Sequence, residues 1–341
     1  MTALNRQWTL ARRPRGVPTD ADFALVHSPV PVPGEGEFVT RNLILSVDPA
    51  QRGWMDEGGN YFPPIPLGAP VSAGIIGEVI ASRNDDFPVG QRLYAIGSWS
   101  DYSLLGAGFV FRTLPADHDI PLPKFNSLLG GMGCSALIAL EEIGKPKAGE
   151  TLFISGAAGN MGTIAGQIGR LMGLRVVGSA GGAAKCRYLE QELGFAATVD
   201  YKAEADLAAA LKRVCPEGID IYYDNVGGPM LEAVLDNINL HARIVMNGSI
   251  AEYNDIDPRP GPRNLWNLLV KRASIEGFLL PDFAANIDPA LERLEAWYRA
   301  GALDAREDVR TDFENMPAIF RALFDGTNTG KLMVRLDGAS G

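Results

Sequence analysis

The chain is short of most groups that announce a chemistry. It has three cysteines, Cys134, Cys186 and Cys215, and three histidines, His27, His118 and His241, spread over 341 residues. The cysteines are too few and too far apart for a disulfide framework or a ligand cluster, so each reads as a small buried or half-buried thiol. Catalytic zinc needs three protein ligands and an open position, and isolated histidines do not supply them, so no metal is expected. Long apolar runs are missing too: nothing approaches the roughly eighteen residues of a membrane span. The N-terminal stretch, residues 1–16, is polar, without the apolar core or cleavage site of a signal peptide. A cytoplasmic protein with no membrane partner is expected. Positive charge is scarce as well, and a net charge of −10 argues against a nucleic-acid partner, which would want a basic face. The length allows about two domains, each with its own core.

Glycine is not scarce, and the stretch from Thr151 to Lys185 organises the rest. Residues 151–155 are short and β-prone, residues 162–171 carry apolar side chains at helical spacing until Gly173 stops them, and a second strand follows. The turn between strand and helix, Ala157-Ala158-Gly159-Asn160-Met161-Gly162, keeps the last two glycines of a G-x-G-x-x-G fingerprint and has alanine at the first. Gly159 would let the backbone approach a pyrophosphate, Gly162 would let helix pack on strand, and the N–H groups at the helix start would hold the anion. A purely structural turn is the alternative, but the strand-turn-helix-strand setting favours a dinucleotide. After Val177 the chain reads Gly178-Ser179-Ala180-Gly181-Gly182-Ala183-Ala184-Lys185. An NAD site usually offers an acid there to the ribose 2′-OH, whereas a 2′-phosphate needs a cation. NADP(H) is therefore expected, with Lys185 on the phosphate; the plainer reading of Lys185 is a solvated lysine opening the next helix.

Residues 1–126 lack helical periodicity and carry β-prone runs at 23–26, 37–45, 73–80 and 92–96, broken by proline and glycine. That spacing predicts a barrel-like β domain. A helix is expected over 128–143. Beyond the glycine turn, helices at 184–193, 204–214 and 229–239 alternate with strands at 197–201, 220–224 and 243–248, which predicts a doubly wound parallel sheet. A proline-rich loop, residues 250–262, is long enough to be a binding segment. Helix 265–272, strand 274–280 and helix 288–300 follow. A last helix at 317–324 and strand at 331–336 are assigned back to the β domain. The expectation is an α/β protein with domains at 1–126 plus 304–341 and at 127–303.

Ala157-Ala158-Gly159-x-x-Gly162, Asp224-Asn225-Val226-Gly227-Gly228, Phe313-Glu314-Asn315-Met316-Pro317 and Asn328-x-Gly330-Lys331, in this domain order, resemble the zinc-independent medium-chain dehydrogenases/reductases. Within them the chain is most similar to the leukotriene B4 dehydrogenase, prostaglandin reductase and alkenal double-bond reductase branch, from Trp8 to Val334. The resemblance implies a GroES-like barrel, a Rossmann domain, NADPH, homodimers, and reduction of the carbon–carbon double bond of enals and enones. It puts the pyrophosphate on Ala158, Gly159, Asn160, Met161 and Gly162, and the adenosine end by Ser179, Gly181, Lys185 and Tyr201. It puts the nicotinamide near Asn225, Gly248, Ser249, Tyr253, the 278–280 strand end with Phe278 and Leu280, and Asn328. Arg52, Tyr61 and Ser135 would line the substrate pocket. Two departures lie near that pocket: Asp48-Pro49-Ala50-Gln51-Arg52-Gly53 has Ala and Gln where relatives carry Tyr and Met, and Gly131-Met132-Gly133-Cys134-Ser135 stands for Met-Pro-Gly-Leu-Thr. Asp48 stands about where metal-dependent relatives hold a zinc-binding cysteine.

Hydride addition to the β-carbon of an enone makes an enolate that a neutral hydroxyl can stabilise, which suits a chain poor in ionisable site residues. Tyr253, with an ordinary pKa near 10, is the expected donor to that oxyanion or to the α-carbon; water or a ribose hydroxyl of the cofactor are the alternatives. A quinone oxidoreductase and a non-catalytic NADPH-binding redox sensor are the rival readings of the same fold.

Overall fold

The computed structural model describes residues 4–58, 60–257 and 260–336. The chain forms two compact units, Met1–Gly130 with Glu307–Gly341, and Gly131–Arg306. The crossings thus fall after Gly130 and Arg306, where the sequence reading set them after 126 and 303. The first unit begins with β1 (Leu4–Leu10), β2 (Phe23–Pro29), β3 (Glu37–Ser46), β4 (Ser72–Ser82), β5 (Arg92–Ser98), β6 (Tyr102–Gly106) and β7 (Val110–Thr113). β1 escapes a hydrophobic-pattern reading because a buried Asn5 occupies one of its inward positions. Its amide donates to the Tyr102 carbonyl at 3.0 Å and its oxygen accepts from the Tyr102 N–H at 2.9 Å, so the burial costs little.

The second unit holds β8 (Thr151–Ile154), β9 (Arg175–Ala180), β10 (Ala197–Asp200), β11 (Ile219–Asp224), β12 (Ile238–Met246) and β13 (Ser274–Gly277). They form one parallel sheet in the order β10-β9-β8-β11-β12-β13. The order reverses direction between β8 and β11, which is where a doubly wound sheet opens a crevice at its carboxyl edge. Several boundaries differ from the sequence reading. The helix expected over 128–143 is Gly131–Ala139 running into a π turn at Leu140–Gly144, and a separate short helix, Leu122–Ser127, precedes it in the first unit. The helix expected over 229–239 is Gly228–Leu235, because the Asn237 amide donates to the Ala233 carbonyl at 2.9 Å and Ile238 turns into the sheet. Asp206 delays the helix expected over 204–214 to Leu207–Val214 by accepting from the Ala209 N–H at 3.0 Å. The strand expected over 274–280 ends at Gly277, since Pro281 cannot extend a ladder and Leu280 already opens a 3-10 turn.

The chain returns to the first unit with β14 (Glu307–Arg310), the helix Met316–Asp325 and β15 (Lys331–Arg335). The sheet there reads β14-β15-β3-β4-β5-β7, with β6 also on β3, and it is mixed because β14 and β15 run parallel. β3 pairs with β6 through Glu37–Arg41 and with β15 beyond Ile44, so the sheet curls around Phe23, Phe38, Trp99 and Phe320. Trp99 and Phe320 meet edge-on at 5.4 Å, and the indole N–H donates to the Ser46 carbonyl at 3.2 Å. Among the described residues no helix is long and apolar enough to cross a membrane.

Candidate nucleotide site and active site

Six strands in parallel deliver six loops to one edge of the second unit, and nearly every residue proposed from the sequence to touch cofactor lies on them. The turn after β8 leads into the helix Asn160–Leu171. Gly159 precedes it in extended conformation and brings no capping side chain, which leaves the first-turn N–H groups to an anion. A Cβ at Gly162 would lie 2.6 Å from both the Ala157 Cα and the Gly156 carbonyl oxygen, so only glycine lets helix and turn touch. The tight bend falls one residue earlier than the fingerprint reading placed it. Gly156 takes the left-handed conformation (φ 60°), and Ala157 does not need it. Gly156 is thus the turn residue that the alanine at the first motif position concealed.

At the ends of β9 and β10 the backbone is bare where side chains crowd. Ser179, the penultimate residue of β9, is buried, and its Oγ has no hydrogen-bond partner among the described residues. A Cβ at Gly181 would meet the Tyr201 hydroxyl at 2.9 Å and Lys202 Cε at 3.0 Å. Asp200 spends Oδ1 on the Gly182 N–H at 2.8 Å and the Lys202 N–H at 3.2 Å, tying the two loops. Lys185 is half-buried in the helix Ala183–Arg187. Burial first, and then the charge of Lys202, push its ammonium pKa below that of an ordinary lysine.

β11 ends on a hub. Asp224 is fully buried, and its Oδ1 accepts from the Ser155 hydroxyl at 2.9 Å, the Tyr222 hydroxyl at 2.6 Å, and the Val226 and Gly227 N–H groups, each at 2.9 Å. Burial raises its pKa while these four donors pull the other way. The hub shapes the Asn225–Gly228 turn. Asn225 is then held on both sides: its amide donates to the Ser155 carbonyl at 2.8 Å and its oxygen accepts from Asn247 at 2.9 Å. Asn225 therefore reaches any ligand with its remaining amide hydrogen, and Asn247, which motif reading passed over, stands beside it. Ile250 and Ala251 donate backbone N–H groups to the Asn225 and Val226 carbonyls, so the expected binding loop starts from this turn. Pro258 and Arg259 of that loop lie outside the described residues.

That anchoring sets Tyr253. Its hydroxyl accepts from the Ser249 N–H at 3.3 Å, and a Cβ at Gly248 would sit 3.2 Å from it. Burial, most strongly, and the negative charge of Asp224 push the phenol's pKa above its ordinary value, against the pull of the Ser249 N–H. Tyr253 consequently keeps its proton at neutral pH. Phe278 lies just past β13, buried, with its N–H on the Met246 carbonyl at 3.1 Å, and Leu280 sits in the 3-10 turn rather than at a strand end.

The remaining candidates are divided between the units. Ser135, in the second, is buried on the helix Gly131–Ala139. In the first unit Arg52 is 3% exposed and directs its guanidinium at the Gly16 and Pro14 carbonyls and at Asp56, 2.7 Å away. It holds the 14–16 segment rather than offering a free cation. Gln51, one of the two departures, is likewise structural: it caps the Asp48 N–H at 2.8 Å and donates to the Ser72 carbonyl at 2.7 Å. Tyr61 is exposed, edge-on to Trp54 at 6.4 Å, and Trp54 stacks on Phe62 at 4.4 Å. Asn328 precedes β15 and donates to the Gly330 carbonyl at 3.0 Å. Asp48 pairs with the buried ammonium of Lys331, which also donates to Ser46 Oγ at 2.6 Å. Among the described residues no three His, Cys, Asp or Glu side chains gather as a metal site.

A parallel sheet with a glycine turn at its switch point, in one chain with a curled mixed β unit, defines a two-domain dinucleotide-binding oxidoreductase fold. The family pattern described as the N-terminal domain of oxidoreductase matches residues 6–112, and that described as zinc-binding dehydrogenase matches residues 161–296. The chain is 37% identical to the NADPH-dependent curcumin reductase of Escherichia coli (strain K12) over 98% of its own length and 97% of that protein. It is 36% identical to the NADP(+)-dependent 2-alkenal reductase of Nicotiana tabacum, over 97% of both chains. The crystal structure of CurA from Vibrio vulnificus in complex with NADPH superimposes with a TM-score of 0.90 at 36% identity, over 97% of this chain and 99% of that one. The chain belongs to the zinc-independent medium-chain dehydrogenase/reductase family.

Proposed function

We propose that the protein is an NADPH-dependent reductase of the carbon–carbon double bond of α,β-unsaturated aldehydes and ketones. The observation that carries this is the carboxyl edge of the parallel sheet, where bare glycine backbone, two neighbouring lysines and a protonated tyrosine are lined up on successive loops. The glycines at 159 and 162 fit a pyrophosphate, the unpartnered Ser179 Oγ and the bare Gly181 fit the adenosine end, and Lys185 with Tyr201 fits a 2′-phosphate. The relatives named above, one a curcumin reductase and one a 2-alkenal reductase, support the same substrate class.

NADPH, when bound, supplies a hydride for the β-carbon of the substrate. The chain's own part is to hold both partners in register and to answer the charge that appears on the carbonyl oxygen. Tyr253 keeps its proton because it is buried near Asp224, so its hydroxyl can donate to the enolate oxygen or deliver the α-proton. Asn225 and Gly248 set the floor against which that hydroxyl is placed. Arg52 has no part in this, since its guanidinium is committed elsewhere.

Turnover of NADPH with trans-2-alkenals, cyclic enones and quinones tests the reading. Enals and enones should be consumed, with saturated aldehyde or ketone as product, and prolonged EDTA should leave the rate unchanged, as expected of a chain whose described residues gather no ligand cluster. Quinone reduction with no enone turnover would move the protein to the rival class, and loss of activity on chelation with recovery on zinc would overturn the metal-free assignment.

We further assign a homodimer built on β13. This strand ends its sheet with every residue exposed, and Trp266, Leu269 and Val270 of the helix Trp266–Lys271 beside it are exposed as well, Trp266 at 69%. An open edge is self-complementary about a two-fold axis, so a second copy both pairs its backbone and covers the apolar side chains. Light scattering should give a dimer, and Trp266→Glu should shift it toward monomer; a wild-type monomer at micromolar concentration refutes the assignment. None of the three cysteines is joined in a disulfide, which supports a cytoplasmic location.

A further inference from the structure

The geometry points to Lys202 as a second cation for the 2′-phosphate of NADP(H), set beside Lys185 and leaning over Gly181, and thus to a coenzyme preference shared between two lysines. This rests on the assignment of NADP(H) to the carboxyl edge made above. A lysine in the first residues after β10 is by itself a solvated side chain, and Lys202 is exposed. Three features of its placement say more. Its stem is laid back toward the nucleotide loops, with Cε close enough to Gly181 that a single added methyl would come within 3.0 Å of it. Its backbone is anchored there: Asp200 accepts from the N–H groups of both Lys202 and Gly182, so the loop after β10 and the loop after β9 move as one. And its charge is felt by Lys185, whose ammonium pKa it helps to depress.

Two cations held together repel, and an anion placed between them turns that repulsion into attraction. Asp200, which ties the two loops, spends its Oδ1 on the Gly182 and Lys202 backbone N–H groups. A phosphate dianion at Gly181, flanked by the Tyr201 hydroxyl, answers both ammonium groups at once. Gly181 is bare for the same reason: a side chain there would displace Tyr201 and Lys202 together. The pairing also divides the labour. Lys185, half-buried, supplies a desolvated charge, and Lys202, exposed, supplies one that screening by salt should weaken.

The test is calorimetric binding to the intact protein without turnover, using NADPH, NADH, 2′,5′-ADP and 5′-AMP. The wild type should bind 2′,5′-ADP more tightly than 5′-AMP. Lys202→Ala should raise the Kd for NADPH and for 2′,5′-ADP about tenfold, the lower end of what a charged phosphate contact contributes, and leave NADH and 5′-AMP within twofold. Lys202→Arg should restore most of the loss, and an unchanged melting temperature of the free protein should show that the exposed variant folds. If Lys202→Ala binds 2′,5′-ADP as the wild type does while Lys185→Ala does not, the inference fails and the NADP(H) reading stands. If the wild type itself does not distinguish 2′,5′-ADP from 5′-AMP, both fail. An equal loss for NADPH and NADH would make Lys202 a structural residue and overturn its role on the phosphate.

Discussion

Replacing Tyr253 by Phe should lower kcat for an enone about 10²-fold while the Kd for NADPH stays the same. That magnitude is the loss seen when one donor to a developing oxyanion is removed from a preorganised site. The expectation rests on a hydroxyl fixed between Gly248 and the Ser249 N–H, and kept protonated by burial and by Asp224. Because the pKa is displaced upward from its ordinary value near 10, kcat should show no alkaline decline caused by Tyr253 below about pH 10. The variant also leaves the Ser249 N–H without its acceptor, so the NADPH titration is needed to show that the loop has not moved. Solvent deuterium should enter the α-carbon, and deuteride from labelled NADPH the β-carbon. An unaltered kcat, with hydride transfer shown to limit the rate by a primary isotope effect, would remove Tyr253 from the chemistry and pass the proton to water or to a ribose hydroxyl. A rise in KM for the enone at constant kcat would reduce it to a wall of the pocket.

Lys185→Ala should raise KM for NADPH ten- to a hundredfold, with KM for NADH nearly unchanged, since a charged hydrogen bond to phosphate contributes about 1.5–3 kcal/mol. The sign of the pH effect follows from the environment. Burial and Lys202 lower the pKa of Lys185, so the ammonium is lost earlier on an alkaline titration than the ordinary value of 10.5 would allow. The preference for NADPH over NADH should therefore be full near neutrality and fade as pH rises, and the variant should lack that dependence on Lys185. Equal losses for both coenzymes would refute the 2′-phosphate role.

The glycine turn was legible because its constraint is local. Gly162 is required by, and Gly159 lies close to, backbone atoms within a few residues, and any strand-turn-helix with that spacing meets the same atoms. Gly156 was not legible, since the fingerprint counts positions and the structure bends one residue before the first of them. Boundaries failed where one residue overrode the period: Asn237 closing a helix by reaching back to the Ala233 carbonyl, Pro281 cutting short β13, and Asn5 hiding β1 because the distant Tyr102 backbone receives it. Arg52 illustrates the limit of a motif. Its family position places it near the pocket, yet its guanidinium points at the Gly16 and Pro14 carbonyls and at Asp56, and those contacts exist only in the folded chain.

By itself the sequence determined the alternation of strands and helices, the dinucleotide turn, the absence of an acid after Val177, and the lack of a ligand set for a metal. Each of these is written in residues close together along the chain or in residues that are missing. The tertiary structure alone decided that Ser155, just past β8, joins three local donors on Asp224, that Asn247 and Gly248 stand beside Asn225, and that Lys202, just past the neighbouring strand, reaches Gly181. The strands concerned are separated by whole helices, and only the parallel sheet, with its order reversed between β8 and β11, brings their carboxyl ends to one edge.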